Sequence, residues 1–356
     1  MSVAGARGPA SRASAGWASG PVVLDARAAA RPELGGVERW ARELERRLPV
    51  LRPGGYVVAR PPAAFVHRAG HLWEQAVLPA RAVRARARWL LCPANLAPLA
   101  FPRTAVVLHD AAPLREPGWY SPLYVAWQRA VMPRIAHRAR LVITVSEFSR
   151  RELTELLDLD PARIAVVPGG VDERFTPGTD PEPARAALDL QRPYVLTVAS
   201  KTARKNLGAL EPAARRLAAG GVDLVAAGGD RPQFRAEGTS TAVRGLGHVP
   251  DEHLPGLYAG AKAFVLPSRY EGFGLTCLEA MAAGTPVVAA DRAALPEVCG
   301  DAALLVDPDD PAAIADAIER AMGDERLRVA GPLRAAAFTW QRAALAVDAL
   351  LHDGPR

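Results

Sequence analysis

The densest chemistry in the chain lies in Pro267-Ser-Arg-Tyr-Glu-Gly-Phe-Gly-Leu-Thr-Cys-Leu-Glu-Ala-Met-Ala-Ala-Gly-Thr-Pro-Val-Val. The apolar run Ala263–Pro267 predicts a strand, Glu271, Gly272, Phe273 and Gly274 form the loop after it, and a helix begins near Leu275. Glycines let a ligand approach the backbone closely, and the free N–H groups at a helix start attract anions. A diphosphate suits that position. Glu271 sits in the loop and Glu279 about one turn into the helix, so both can face one pocket. Carboxylates accept hydrogen bonds from vicinal hydroxyls, as acidic residues do with ribose in dinucleotide folds. One carboxylate for a hexose and one for a ribose is the simplest assignment. Either glutamate alone is better explained as a surface charge; the pair, set around Gly-Phe-Gly, is not.

Three further segments offer complementary groups. Ala203-Arg-Lys-Asn206 follows the run Tyr194–Ala199, which puts Arg204 and Lys205 at a strand's carboxyl end. Two cations there neutralise a departing diphosphate, although a surface charge pair would be the default for these residues in isolation. Gly35 and Gly36 lie between a strand and its helix, where backbone N–H groups can approach phosphate or sugar; by themselves they mark no more than a turn. His109 ends the apolar run Thr104–Leu108 and points towards the same end of its sheet, with Asp110 beside it. A solitary histidine is more often structural.

These segments need a scaffold that brings strand ends together. Short apolar runs recur at Pro21–Asp25, Tyr56–Arg60, Trp89–Cys92, Thr104–His109, Leu141–Ser146 and Ile164–Pro168. They resume at Tyr194–Ala199, Leu224–Ala227, Ala242–Gly245, Ala263–Pro267, Pro286–Ala289 and Ala303–Val306. Unbroken apolar runs alternating with helical segments imply parallel sheets covered on both faces. After the first strand, Val37, Trp40, Ala41, Leu44 and Leu48 make an apolar helical stripe, with Glu38, Arg39, Arg42, Glu45 and Arg46 off it. The expected fold is α/β, with two Rossmann-like doubly wound domains facing a cleft. Residues 21–175 form the amino-terminal domain, 176–193 a linker rich in Pro, Asp and Thr, and 194–335 the carboxyl-terminal domain. Residues 336–356 carry a last helix, with Trp340, Ala344, Val347 and Leu351 on one face, that packs back on the first domain. In such sheets ligands bind beyond the carboxyl ends of the strands.

Taken in order, these landmarks resemble the retaining, nucleotide-sugar-dependent glycosyltransferases of the GT-B fold, close to the large family-four group. Glu271 and Glu279, with seven residues between them, match that family's signature. Asp25-Ala-Arg27, Gly35-Gly-Val-Glu-Arg39, Leu108-His-Asp110, Val145-Ser-Glu-Phe-Ser149, Val167-Pro-Gly-Gly-Val-Asp172 and Ala203-Arg-Lys-Asn206 complete the pattern over roughly residues 21–350. The resemblance implies that Arg204 and Lys205 contact the donor diphosphate. It places Gly35 and Gly36 beside the diphosphate and acceptor, and His109 at the sugar's reactive centre. Glu271, Gly272, Phe273, Gly274, Leu275 and Glu279 are then the remaining donor contacts. One departure is Ala199-Ser200, where the family usually carries glycine, which leaves the local backbone in question. The implied activity is transfer of a hexose to a hydroxyl of a glycan or lipid-linked glycan, with a nucleotide diphosphate sugar as co-substrate and no metal or other cofactor. The Leu-His-Asp and Val-Ser-Glu-Phe-Ser segments resemble bacterial polysaccharide mannosyltransferases and favour GDP-mannose, with UDP- and dTDP-hexoses open. A sugar-nucleotide epimerase and a non-catalytic sugar-nucleotide-binding protein are the alternatives.

Composition narrows the remaining choices. The 356 residues are 49% hydrophobic, enough for two cores. The formal charge of +6 draws on 44 basic residues, of which lysines are Lys201, Lys205 and Lys262 alone; the arginine excess is therefore weak evidence for any polyanionic partner. No zinc-finger, RNA-binding, Walker or Gly-x-Ser-x-Gly signature occurs, and no nucleic-acid partner is expected. Asp158-Leu-Asp160 and Asp307-Pro-Asp309 have metal-motif spacing, but each is better explained at a helix boundary. Cys92, Cys277 and Cys299 are too few and too scattered for a disulfide framework, which favours the cytoplasm. Residues 1–20 lack a signal peptide's apolar stretch and read as a disordered leader. Arg129, Arg134, Arg138 and Arg140, with Arg81, Arg84, Arg86 and Arg88, could meet anionic lipid at the inner face of the membrane. A solvated face, with arginine stems covering apolar surface, is slightly favoured.

Overall fold

A computed structural model describes residues 20–32, 35–66, 70–229 and 242–353. Of the segment read as a leader, all but Gly20 lies outside the described residues. The first parallel sheet holds β1 (Val22–Asp25), β2 (Tyr56–Ala59), β3 (Trp89–Cys92), β4 (Thr104–Val107), β5 (Leu141–Thr144) and β6 (Ile164–Val166), in the order β2-β1-β3-β4-β5-β6. The second holds β7 (Tyr194–Val198), β8 (Asp223–Ala227), β9 (Arg244–Gly247), β10 (Phe264–Leu266), β11 (Val287–Ala290) and β12 (Ala303–Val306), in the order β12-β11-β10-β7-β8-β9. The expected α/β architecture of two doubly wound parallel sheets is therefore present. Every strand lies in or beside its apolar run. β9 falls two residues further along than Ala242–Gly245, because it is an edge strand with Arg244 and Gly245 exposed and its register slips at Ala226/Ala227. With one covered neighbour, an edge strand has little apolar pattern to fix its ends.

Helices cover both faces of each sheet. Those used below are α1 (Gly36–Leu51), α2 (Pro122–Arg138), α3 (Glu147–Leu157), α4 (Leu254–Ala259), α5 (Leu275–Ala282), α6 (Leu295–Cys299), α7 (Pro311–Met322) and α8 (Trp340–His352). α1 buries Trp40, Ala41, Leu44 and Leu48, as its stripe requires. Glu38 and Glu43, which the stripe leaves outside, are buried too. Glu38 Oε2 accepts from the Gly35 N–H at 3.1 Å and Glu38 Oε1 pairs with Arg31 at 3.1 Å, a capping arrangement that offsets the cost of burying the charge. α8 lays Trp340, Ala344, Val347 and Leu351 into one cluster with Trp40, Leu44 and Leu48 of α1.

The chain crosses between the sheets twice, and the crossings lie side by side. Val171 bridges Thr339, and the Val171 N–H donates to Phe338 O at 3.0 Å. A Cβ at Gly170 would stand 2.1 Å from the Trp340 nitrogen, so glycine is required there. The segment 176–193 contains a short helix, Glu182–Ala187, packed on α4, and Phe175, Ala184 and Leu190 enter the second domain's core.

Candidate active site

The second sheet reverses its strand order between β7 and β10, which are parallel neighbours with Leu196 opposite Phe264. Loops leaving the carboxyl ends of such a pair open a crevice, and here they carry Arg204-Lys205 and Glu271. Asn206, in a left-handed conformation at φ 55°, ties the first loop down: its Nδ2 donates to Pro267 O at 3.2 Å and Pro308 O at 2.7 Å. Lys205 Nζ lies 2.5 Å from Glu271 Oε1, and Arg204 lies 3.5 Å from Glu271 Oε2. Arg204 also donates to Tyr270 O at 3.1 Å.

Glu271 is buried and Arg204 and Lys205 are largely so, and their charges decide their titration. Burial opposes the Glu271 carboxylate, but Lys205 and Arg204 outweigh it and hold the carboxyl below its usual range. Burial pushes the Lys205 ammonium down, against the pull of Glu271. Burial also opposes the Arg204 charge, but Glu271, Tyr120 and Asp110 together raise it, so Arg204 stays a permanent cation. The result is a compact positive site in a low-dielectric crevice, with one carboxylate already engaged. An anion entering it would share the two cations with Glu271.

Glu279, on α5, accepts from Tyr258 Oη of α4 at 2.9 Å. Burial raises its pKa, opposed by Arg39 and by the Tyr258 hydrogen bond. Arg39 belongs to the other domain. From α1 it reaches across the cleft to Glu279 Oε1 at 3.5 Å and Asp251 Oδ1 at 2.7 Å. Its sequence signal was its place in Gly35-Gly-Val-Glu-Arg39, but periodicity set it among the solvent-facing residues of α1.

Gly274 precedes the first turn of α5 at φ 110°, a left-handed backbone that calls for glycine, and a Cβ there would push on the end of the Leu295 side chain at 2.7 Å. The ring of Phe273 packs edge-on against Phe338 with centroids 5.8 Å apart, and Leu275 packs against the core formed with α8. Contacts from these two residues to a ligand must therefore run through the backbone. Gly36 is different: among the described residues a Cβ there meets nothing within 4 Å, and the Gly35 N–H is taken up by Glu38.

His109 faces this site from the end of β4. Its Nε2 bonds Pro93 O at 2.9 Å, its N–H donates to Asn95 Oδ1 at 2.8 Å, and its ring meets Trp40 edge-on. Burial lowers its pKa against the Pro93 bond, so the imidazole is neutral at pH 7. Because a carbonyl can only accept, Nε2 carries the proton and Nδ1 is the acceptor. Gly272 comes so close that a Cβ on it would stand 2.6 Å from His109 O. Ser146 Oγ donates to Gly272 O at 2.6 Å, and Ser149 Oγ lies 3.0 Å from both Gly272 O and His109 O. These hydroxyls stitch the two domains together at the reacting edge. They lie in the Val145–Ser149 landmark, whose contribution the sequence left unassigned. The carboxylate of Glu297, on α6, accepts from the N–H groups of Glu147 and Phe148 at 2.8 and 3.0 Å, capping α3 across the same interface.

The two segments with metal-motif spacing are accounted for by their neighbours. Asp158 closes α3 in a left-handed conformation, and Asp160 caps the turn that follows. Asp309 pairs with Arg269 at 3.0 Å and Arg292 at 2.8 Å, while Asp310 caps α7. In the arginine groups, Arg81 lies over the Trp73 ring at 4.8 Å and Arg88 donates to His352 O. No helix among the described residues is long and apolar enough to cross a membrane.

Two parallel-sheet domains that meet at their strands' carboxyl ends around such a crevice define a GT-B glycosyltransferase fold. Residues 34–175 match the model of Glycosyltransferase Family 4, and residues 192–324 match that of Glycosyl transferases group 1. The chain is 34% identical to O-antigen chain mannosyltransferase B of Escherichia coli over 67% of each protein. It is 35% identical to D-inositol 3-phosphate glycosyltransferase of Corynebacterium jeikeium over 64% of this chain and 61% of that one, so it spans about two thirds of these relatives or slightly less. Among solved structures, sucrose-phosphate synthase of Thermosynechococcus elongatus superposes with a TM-score of 0.71 at 23% identity, covering 94% of this chain and 98% of that one. Anabaena HepE in complex with UDP-glucose gives 0.70 at 18% identity, over 94% and 100%. The chain belongs to the family-four, group 1 glycosyltransferases.

Proposed function

We propose that the protein transfers a hexose from a nucleotide diphosphate sugar to a hydroxyl of a glycan or lipid-linked glycan, with retention at the anomeric carbon. The observation that carries this reading is the convergence of Arg204, Lys205 and Glu271 at the switch point of the second sheet, with Lys205 Nζ 2.5 Å from Glu271. The two cations and the start of α5 at Gly274 would hold the diphosphate and take up the charge that develops as it leaves. Glu271 would hold sugar hydroxyls, and Glu279 the ribose. Gly35 and Gly36 would border the diphosphate and acceptor from the first domain, and His109 would meet the sugar at its reactive centre.

Retention follows if the acceptor hydroxyl attacks from the face that the diphosphate leaves. The C1–O bond to the phosphate breaks first, leaving an oxocarbenium–phosphate ion pair. The hydroxyl oxygen then bonds C1, and its proton passes to a leaving-phosphate oxygen. Neutral, buried His109 is suited to a contact with the sugar rather than to carrying charge. No metal enters this scheme, because Arg204 and Lys205 supply the positive charge. The mannosyltransferase relative favours mannose; GDP-mannose is the donor we propose from the Leu108-His-Asp110 and Val145–Ser149 segments, with UDP- and dTDP-hexoses as the alternatives. The buried thiols Cys92, Cys277 and Cys299 are unpaired, which suits action in the reducing cytoplasm.

The test is a panel of nucleotide sugars, read by thermal shift and by transfer. Glu271→Ala and Lys205→Ala should each lose most transfer while keeping the fold, with Glu271→Gln as a partner that preserves size. Turnover unchanged in both alanine variants would refute the assignment.

A further inference from the structure

The first domain carries a line of aromatic rings that the donor site does not use. Tyr120 stacks on Tyr124 with centroids 5.6 Å apart, Tyr124 meets Trp127 at 6.0 Å, and Trp127 meets His71 at 5.0 Å. On α2, Tyr124 and Trp127 are three residues apart and share a face; Tyr120 lies just before the helix cap, Ser121. The inner end is at the reaction centre. Tyr120 shares an apolar cluster with Tyr270, the residue before Glu271, and interacts with Arg204, Asp110 and Glu271. The line opens outwards: Tyr120 is buried, Tyr124 and Trp127 are half-buried, and His71 is exposed. Tyr124, Trp127 and His71 therefore keep part of their rings uncovered.

Two polar groups accompany the rings. Tyr124 Oη accepts from Gln128 Nε2 at 2.7 Å, which leaves its own proton to donate. At the outer end, Glu74 is 1% exposed; Arg27 satisfies Oε1 at 2.6 Å, but Oε2 has no hydrogen-bond partner among the described residues. That oxygen lies 3.9 Å from His71 Nδ1, facing the outermost ring. A buried carboxylate oxygen without a donor costs about 1–3 kcal/mol, and a ligand hydroxyl would relieve it. Glu74 also lies in a single π-helical turn, Trp73–Val77, a distortion often found at functional sites.

We infer that Tyr124, Trp127 and His71 form an acceptor track for a glycan of at least two sugar rings, with Glu74 accepting a hydrogen bond from a sugar hydroxyl. This rests on the transferase reading and adds the acceptor's class and path. A pyranose has an apolar face and a rim of hydroxyls, which rings flanked by a phenol and a carboxylate complement. An acyl chain would leave both polar groups unsatisfied. A sugar at Tyr124, the inner end of the open part of the line, would be the one that receives the transferred hexose, and its predecessors would lie along Trp127 and His71.

The full chain, Tyr124→Ala, Trp127→Ala and Glu74→Gln are compared on an array of mono- to tetrasaccharides containing mannose, glucose and galactose. GDP and UDP thermal shifts and sedimentation with phosphatidylglycerol vesicles are measured on the same samples. The unaltered protein should retain an oligosaccharide of two or more rings and bind its monosaccharide at least about tenfold more weakly. Each aromatic variant should lose about tenfold in oligosaccharide affinity, one well-placed ring contact being worth roughly that factor. Glu74→Gln should weaken the same ligand, and nucleotide-induced stabilisation should persist throughout. Oligosaccharide binding that is absent, or equal in the aromatic variants, overturns the track. So does loss of vesicle binding in place of glycan binding, which would make the face a membrane surface. If neither GDP nor UDP stabilises the unaltered protein, the transferase reading itself fails, and that result is separable from the others.

Discussion

Adding one methyl group at Gly272 should separate closure of the cleft from assembly of the donor site. A Cβ there would stand 2.6 Å from His109 O and 2.9 Å from Asp110 Cβ, both in the opposite domain. Ordinary contacts begin near 3.4 Å, so the two edges must part by somewhat under 1 Å. That shift strains the Ser146 and Ser149 hydrogen bonds to Gly272 O, and it moves His109 away from the position proposed for the sugar while leaving Arg204, Lys205 and Glu271 on their own sheet. Misplacement on this scale costs roughly 100-fold in turnover, about 2.7 kcal/mol of barrier. Gly272→Ala should therefore lower kcat of transfer about 100-fold at saturating donor, with nucleoside diphosphate affinity within threefold of normal. Gly36→Ala, whose Cβ meets no atom of the described residues, serves as the second arm and should leave the melting temperature unchanged. Transfer by Gly272→Ala within twofold of normal would refute the argument that contact between His109 and Gly272 sets the geometry.

Asn206 holds a left-handed conformation and two carbonyls. Asn206→Ala should lower stability in urea by about 2–3 kcal/mol, and Asn206→Gly by about 1 kcal/mol less, because glycine pays no left-handed penalty. Trp340→Ala should cost about 3–5 kcal/mol, since the side chain is 1% exposed between α1 and α8. Burial pushes the Glu74 carboxyl up to about 7, against Arg27 and Arg31 and with Asp25 adding to the rise. Its folded pKa exceeds the unfolded one, so the native state binds more protons between pH 4.5 and about 7, and this group's share of stability is lost as pH rises through that window. Urea midpoints from pH 4.5 to 7.5 should fall more steeply for the unaltered chain than for Glu74→Gln; parallel curves would contradict the assignment.

The sheets were legible because their strands are buried on both faces and so appear as unbroken apolar runs. β9 was misplaced by two residues for the converse reason, being an edge strand. The placement of Glu271, Gly274 and Glu279 was legible because it is fixed by local geometry: a turn, a helix start and one helical repeat. What the sequence hid was whatever depends on the second domain's position. Arg39 looked solvent-facing on its own helix and reaches Glu279 only once the cleft forms. Phe273 sits in the loop between Glu271 and α5, yet its ring closes the seam with Phe338. Ser146 and Ser149 resemble ordinary helix-capping residues, and Ser146 is one, until Gly272 O arrives 126 positions along the chain. Glu38 broke the apolar stripe of α1 because a capping carboxylate can be buried when its charge is answered locally.

The central claim is that Arg204, Lys205 and Glu271 bind and activate a nucleotide diphosphate sugar. Its most direct test follows labelled hexose from each donor of the panel to acceptor, side by side for the unaltered chain and folded Lys205→Ala. The account predicts transfer by the unaltered chain from at least one donor, with the product's anomeric configuration matching the donor's. It also predicts at least about a 100-fold loss in the variant, as expected when a preorganised charge at a leaving group is removed. Equal transfer by the two proteins would contradict it, as would an inverted product.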